Sequence, residues 1–329
     1  MSGDCWEGGE SEASYQLLRA RGCLLGQLAG DSLGSLVEFS SPDKILARYP
    51  DGLRDLMDGG TWDTIAGQPT DDSELALALA RMLVMQGEYN PETARTAYKQ
   101  WYKTNPFDCG NTIRSALLGA PDTDSQANGA MMRVSPLGIF GARHALDQVA
   151  SWARQDAALT HPHPVCQQAN ALYVMAIAYA IAAGPSPIEL HLRICEWTRK
   201  IGACPELSNV VESAPTTPPS NYMRHSGWVL IAFHNALWQL LHAPSFEEGV
   251  IDTVAHGGDT DTNAAICGAL LGAVYGIDAV PLRWRQPILQ CRPKAGNPMV
   301  HRPRPECFWP GDALALAAEL FCGQGSLPA

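Results

Sequence analysis

The sequence predicts an all-α fold in a single domain, and three observations carry that expectation. Apolar residues recur at spacings of three and four over segments 15–37, 73–86, 91–103, 145–158, 165–183, 187–200, 226–242, 246–255, 262–275 and 312–322, the pattern of helices with a buried face. Strand-like alternation with a period of two is nearly absent. The helices on either side of the 204–222 stretch resemble one another in composition, no shift in charge marks a domain boundary, and no repeat of fixed period occurs. At 329 residues, 46% of them hydrophobic and 17% charged, the chain has enough apolar material for a substantial core.

Residues 1–14 are acidic and Gly/Ser-rich and read as a flexible tail; 15–323 form the helical domain, and 324–329 a short C-terminal tail. In the first long helix, Gly22, Gly26, Gly30 and Gly34 fall at every fourth position. Each interior glycine costs about 1 kcal/mol of helix stability relative to alanine, so four on one stripe call for a tertiary reason. A row of small residues lets another backbone approach closely. Gln27, Asp31, Ser32 and Glu38 interrupt the run and argue against a membrane-spanning version of the device. Gly268 and Gly272 repeat it in the 262–275 helix, so these two helices are expected side by side at the centre. Pro/Gly/Asn clusters break the helices at 49–70, 104–111, 119–129, 204–222 and 292–311. The 204–222 stretch, CPELSNVVESAPTTPPSNY, is the most linker-like and is read as a surface loop.

The formal net charge of −11 gives no footprint for gripping DNA or RNA by phosphates, and an anionic membrane would repel the chain. A bound anion would need local positive charge from backbone N–H groups, a few basic side chains or cations. The ten cysteines include no CxxC pair and read as buried small hydrophobes or free thiols rather than a zinc site. No apolar run reaches the ~20 residues a membrane span needs, and no secretory leader pattern opens the chain. The expectation is a soluble, cytoplasmic monomer.

Two acidic stretches carry the chemistry. In 70-TDDSELALALARML-83, Asp71 and Asp72 precede an Ala/Leu helix; in 256-HGGDTDTNAAICGALLGA-273, Asp259 and Asp261 precede an Ala/Gly helix. Taken alone, each pair reads as a helix cap, with Asp71 at the N-cap and Glu74 three residues on. Taken together, four carboxylates and the hydroxyls of Thr70 and Thr262 form a hard-oxygen set suited to Mg²⁺ or Mn²⁺. The D-x-D spacing suits a turn entering a helix, where residues i and i+2 can face one point. The residues by themselves leave both readings open.

With these motifs, the chain resembles the ADP-ribosylglycohydrolase family. The matching text is LLGQLAGDSLGSLVEF (24–39), TDDSELALALA (70–80), ANGAMMRVSPLG (127–138), LTHPHP (159–164) and GGDTDTNAAICGALLGAVYG (257–276), in the family's order. The resemblance implies a single compact orthogonal helical bundle with a central dinuclear site of two Mg²⁺ or Mn²⁺, ligated by Thr70, Asp71, Asp72, Asp259, Asp261 and Thr262. It implies hydrolysis of the N- or O-glycosidic bond joining ADP-ribose to an acceptor, on a protein side chain or a related ADP-ribosyl compound, with ADP-ribose as product. It assigns Glu38 to the substrate near the scissile bond, Asn128 and Gly129 to the ribose and diphosphate with Ser125 and Met131 as companions, and His161 to the ADP-ribose.

The chemistry agrees with these assignments. Cleavage at the ribosyl carbon builds positive charge on the sugar, which nearby carboxylates favour. Glu38 is then a candidate acid/base and Asp261 a second catalytic carboxylate, with pKa values to be raised by burial and by one another. Arg133 is expected to fix the 125–138 loop, and the tryptophans to be core residues. A non-catalytic ADP-ribose binder of the same fold is the alternative; an all-helical phosphohydrolase would need a His-Asp dipeptide, which the chain lacks.

Overall fold

The glycine stripe of the first helix is matched by small residues on a second helix, and the two zip together antiparallel. A computed structural model describes residues 7–323. It has α1 (Glu7–Gly34), α2 (Pro42–Arg48), α3 (Asp71–Gln86), α4 (Pro91–Lys103) and α5 (Asn111–Leu117). Then follow α6 (Ser135–Gly141), α7 (Leu146–Ala158), α8 (Pro164–Ala183), α9 (Pro187–Lys200) and α10 (Pro205–Ser213). The last third contains α11 (Val229–His242), α12 (Phe246–Ala255), α13 (Thr260–Tyr275), α14 (Leu282–Gln290) and α15 (Ala313–Cys322). Among the described residues there is no β-sheet, only two isolated bridges, Gly59–Thr64 and Ala127–Trp228.

A methyl group added at Gly22 would overlap the carbonyl of Gly272, at Gly26 that of Gly268, at Gly30 that of Ala264, and at Gly34 the backbone of Thr260 and Asp261. Four turns of α1 therefore touch α13 backbone to backbone, which is the tertiary reason for tolerating poor helix formers. The hydroxyl of Thr260 donates to the Gly34 carbonyl at 2.7 Å and closes the zip at its functional end. Helices α8, α11 and α12 pack on the other faces of α13, so this pair lies at the centre of one continuous apolar core. The expected adjacency of the two helices is borne out.

Several local readings change. Helix α1 begins at Glu7, inside the stretch expected to be tail; residues 1–6 and 324–329 lie outside the described residues. The linker-like 204–222 stretch contains α10, whose Pro205 occupies the first turn, where proline is tolerated, and which buries Leu207 and Val211 one turn apart. Helix α8 has 20 residues and enough apolar composition to cross a membrane, which the sequence reading missed; 78% of that stretch is buried inside the protein, so it serves as a core helix. Nine cysteines are free among the described residues, and Cys5 lies outside them.

Candidate active site

Glu38 follows α1 in a tight turn and is only 7% exposed. Two backbone bonds tie this turn to the segment before α13: Phe39 N–H donates to the Gly258 carbonyl at 2.8 Å, and Gly258 N–H donates to the Ser40 carbonyl at 3.1 Å. Phe39 is held at φ 62°, a strained conformation for a bulky residue, and its ring is exposed beside the cleft. A third segment meets the turn from 59–64, where Thr61 donates its hydroxyl to the Glu38 carbonyl at 3.0 Å and Trp62 Nε1–H donates to Glu38 Oε2 at 2.6 Å.

The acidic residues at the starts of α3 and α13 are not caps. Thr70 and Asp259 occupy the N-cap positions, and neither side chain accepts a bond from its helix backbone. For α3 the capping is done from another element. The buried carboxylate of Asp31, on α1, accepts from Thr70 N–H at 3.2 Å and Ser73 N–H at 3.1 Å, and from the Thr70 hydroxyl at 2.9 Å. Asp31 thus satisfies the helix start and leaves Asp71 and Asp72 free for other work. Buried Gln27, also on α1, donates to the Met132 carbonyl at 2.9 Å and so ties α1 to the loop before α6.

These elements surround a cavity of about 320 Å³. Its walls include Glu38, Asp71, Asp72, Asp259 and Thr262 together with Asn128, Gly129 and His161. Carboxylate oxygens of Glu38, Asp108 and Asp261 lie within 4.8 Å of one another. Asn128 Nδ2 donates to Asp259 Oδ2 at 2.7 Å, and its backbone N–H donates to the Gly227 carbonyl at 2.9 Å, joining the loop before α6 to that before α11. Thr70 is buried behind the wall, its hydroxyl shared between Asp31 and, at 3.1 Å, Asp72. Ser125 stands back from the cavity, its hydroxyl 2.9 Å from that of Thr112. Met131 points into the core and the neighbouring Met132 lines the cavity instead.

Burial pushes all these carboxyls up, and for all but Asp259 their mutual repulsion adds to it. Glu38 is raised to about 8, first by burial and then by the charges of Asp259 and Asp71. Asp108 is raised to about 7 by burial and then by Glu38. Asp71, Asp72 and Asp261 are pushed well above the usual carboxylate range, burial again leading. The buried ion pairs of the described residues, Arg133–Asp156 and Glu74–Arg304, use none of these acids, and no Lys or Arg lines the cavity. Asp72 Oδ1 and Asp261 Oδ2 are buried without a hydrogen-bond partner. An orphaned anionic oxygen beside like charges is costly unless a cation meets it, and an all-oxygen donor set suits a hard divalent ion. The residues present therefore fit a bound metal.

A profile of the ADP-ribosylglycohydrolase family matches residues 12–318. The chain belongs to this family. It is similar to the ADP-ribosyl-[dinitrogen reductase] glycohydrolase of Rhodospirillum rubrum, with 31% identity over 278 residues, 81% of this chain and 88% of that one. The ADP-ribosylarginine hydrolase Tri1 of Pseudomonas putida (strain GB-1) is 29% identical over 283 residues, 81% of this chain and 73% of its own. A solved structure described as an ADP-ribosylglycohydrolase-related protein complex matches with a TM-score of 0.77 and 28% identity, covering 94% of this chain and 98% of that one. The all-α fold and the hydrolase class expected from the family resemblance are borne out.

Within this ADP-ribosylglycohydrolase framework, Glu38, Asp71, Asp72, Asn128, Gly129, His161, Asp259 and Thr262 share one cavity, with Asp261 against Glu38. Sequence reasoning missed Asp108, Asp31 and Trp62. Asp108 lies in the Pro/Gly break 104–111, where no periodicity points inward; Gly110, two residues on, whose N–H donates to Asp71 Oδ2 at 3.2 Å, was the available cue. Asp31 was visible as a charge inside an apolar glycine helix, and a buried charge needs a partner.

Proposed function

We propose that the protein hydrolyses the glycosidic bond between ADP-ribose and an acceptor side chain, aided by two Mg²⁺ or Mn²⁺ ions. The observation that carries this reading is the approach of Glu38, Asp108 and Asp261 within 4.8 Å, at the wall of a cavity that Asp71, Asp72 and Asp259 also line. Asp71, Asp72, Asp259, Asp261 and Thr262 would hold the cations, with Thr70 behind them. When bound, such cations neutralise negative charge and orient hydroxyls and water.

The protein's own groups supply the rest. Glu38, raised to about 8, stands in the range where a carboxyl exchanges protons near neutral pH, and Trp62 holds its orientation. In the reaction, a water oxygen forms a bond to the anomeric carbon while the bond to the acceptor breaks. Of the two water protons, one stays on the new sugar hydroxyl and the other is taken up by ionised Glu38, which gives it to the departing acceptor and so returns to its starting state. The surrounding carboxylates favour the positive charge that develops on the sugar. Asn128, held by Asp259 and Gly227, and Gly129 present the wall against which the ribose and diphosphate would lie. The first acceptor to test is arginine, in view of the Tri1 relative's name.

The test incubates purified protein and Mg²⁺ with ADP-ribosyl-arginine, ADP-ribosyl-serine and O-acetyl-ADP-ribose, and measures released ADP-ribose. Release from the arginine conjugate, lowered about a hundredfold by Glu38→Gln, is expected. No release from any of the three overturns the reading.

A further inference from the structure

Deepening that reading, we infer that Arg133 and Thr160 are positioning residues that fix His161 in the tautomer with its proton on Nε2, so that a buried N–H is aimed at an acceptor oxygen of the ligand. The inference follows from counting protons along a buried chain of hydrogen bonds.

Arg133, Thr160 and His161 are all fully buried. Asp156 anchors the chain: its Oδ1 accepts from Arg133 Nε at 3.1 Å, its carbonyl accepts from the guanidinium at 2.9 Å, and its Oδ2 accepts from the Tyr98 hydroxyl at 2.8 Å. The guanidinium also lies over the Tyr98 ring, 4.4 Å from its centroid. So held, it donates through one nitrogen to Thr160 Oγ1 at 2.7 Å and, more weakly, to the Gly129 carbonyl at 3.4 Å.

A guanidinium can only donate, so Thr160 Oγ1 is the acceptor in that bond. Its hydroxyl carries one proton, and the remaining partner within reach is His161 Nδ1 at 2.8 Å. If Nδ1 carried the histidine proton, the threonine oxygen would accept twice and its own O–H would be left with nothing in a fully buried place. With the hydroxyl donating, every bond from Asp156 to Nδ1 joins one donor to one acceptor, Nδ1 is the acceptor, and the ring proton belongs on Nε2.

Nε2 has no partner in the protein, and His161 lines the active-site cavity. A side chain at position 129 would crowd it, since a Cβ there would lie 3.1 Å from the ring Cε1 and 3.3 Å from Nε2. Gly129 therefore leaves this edge of the ring open. Only a neutral imidazole has tautomers to choose between, and burial, with the nearby Arg133 charge, lowers His161 to about 3. In a cavity walled by carboxylates, a neutral N–H donor recognises a phosphate or ribose oxygen without attracting a competing anion from solution.

The test is long-range ¹H–¹⁵N NMR on histidine-labelled, ligand-free protein near neutral pH, with His161→Gln used to assign its signal among nine histidines. The expected result is a protonated-type Nε2 and an unprotonated Nδ1. Thr160→Val, which removes the hydroxyl and keeps the shape, should mix or invert the tautomer and weaken ADP-ribose binding about tenfold by calorimetry. Thr160→Ser should keep the tautomer and stay within about twofold in affinity. A proton on Nδ1 in the wild type, or an unchanged tautomer in Thr160→Val confirmed folded by its melting curve, overturns the inference. Because the tautomer is read without ligand, failure to bind ADP-ribose with Nε2 protonated would refute the substrate reading and leave this assignment standing.

Discussion

Trp62 and Glu38 are joined by a bond of 2.6 Å from the indole N–H to Oε2, although they come from separate segments of the chain. The indole is itself braced. Arg302 Nε donates to the Trp62 carbonyl at 2.8 Å, and the ring tilts against Phe107 with centroids 5.9 Å apart. The carboxyl proposed to move protons is thus oriented by a half-buried loop residue. Removing a hydrogen bond to a charged group costs about 1.5–3 kcal/mol, so Trp62→Phe is expected to lower kcat for ADP-ribose release about tenfold or more with KM little changed. Glu38→Gln should lower it about a hundredfold. Steady-state kinetics on the active conjugate check both, and a wild-type kcat in Trp62→Phe would refute the orienting role.

Asp72 and Asp261 each keep one buried oxygen without a partner. Replacing either by asparagine removes a charge while nearly preserving shape. Calorimetric titration with Mg²⁺ should show affinity reduced about tenfold or more in each variant. The metal-free melting temperature should not fall, because a repulsive charge has gone. A variant that binds Mg²⁺ like the wild type excludes that aspartate as a ligand.

The raised carboxyl pKa values give stability a definite pH dependence. Glu38, Asp108 and Asp31 are raised to about 8, 7 and 6, so between the ordinary carboxylate range and those values the folded state holds more protons than the unfolded chain. Their stabilising contribution is therefore present at low pH and is lost as pH rises through the folded-state values. In a chelator, the melting temperature should decline from pH 6 to pH 8.5. Mg²⁺ should reverse the decline, raising the melting temperature most at the alkaline end, where the carboxylates are ionised. Differential scanning calorimetry in chelator and in Mg²⁺ checks this; an Mg²⁺ effect independent of pH would contradict it.

At the glycine zip, Gly30→Ala gains about 1 kcal/mol of helix propensity but forces a methyl group into the Ala264 carbonyl. Overpacking between two backbones should dominate, with a net loss of about 2 kcal/mol or more. Chemical denaturation measures it directly, and an unchanged midpoint would show that the two helices can part without cost.

Much of this was legible in the sequence, for identifiable reasons. The glycine stripe announced a close backbone partner because glycine is costly in a helix without one. The pairing of Asp71 and Asp72 with Asp259 and Asp261 was legible because both motifs open helices, and a helix start fixes where its side chains point. Short α2, α5, α6, α10 and α14 were missed because nine residues or fewer show too little periodicity. Asp108 reaches the cavity, and Trp62 reaches Glu38, from irregular segments, where direction is set by distant contacts such as Arg302 to Trp62. Met131 and Met132 show the same limit on a smaller scale: adjacent residues in a turn face opposite ways, and the sequence pattern did not say which one met the cavity.

The seam between α1 and α13 has a consequence for how the enzyme fails. Asp31 and Glu38 lie on or just beyond one partner, and Asp259 and Asp261 at the start of the other, all close to the backbone-to-backbone contacts at Gly30 and Gly34. Heat inactivation and global denaturation should therefore be a single event, without a milder stage in which the catalyst is disabled but the protein intact. By the same linkage, with the proposed cations bound in the cleft, a chelator should lower the heat resistance of the whole chain.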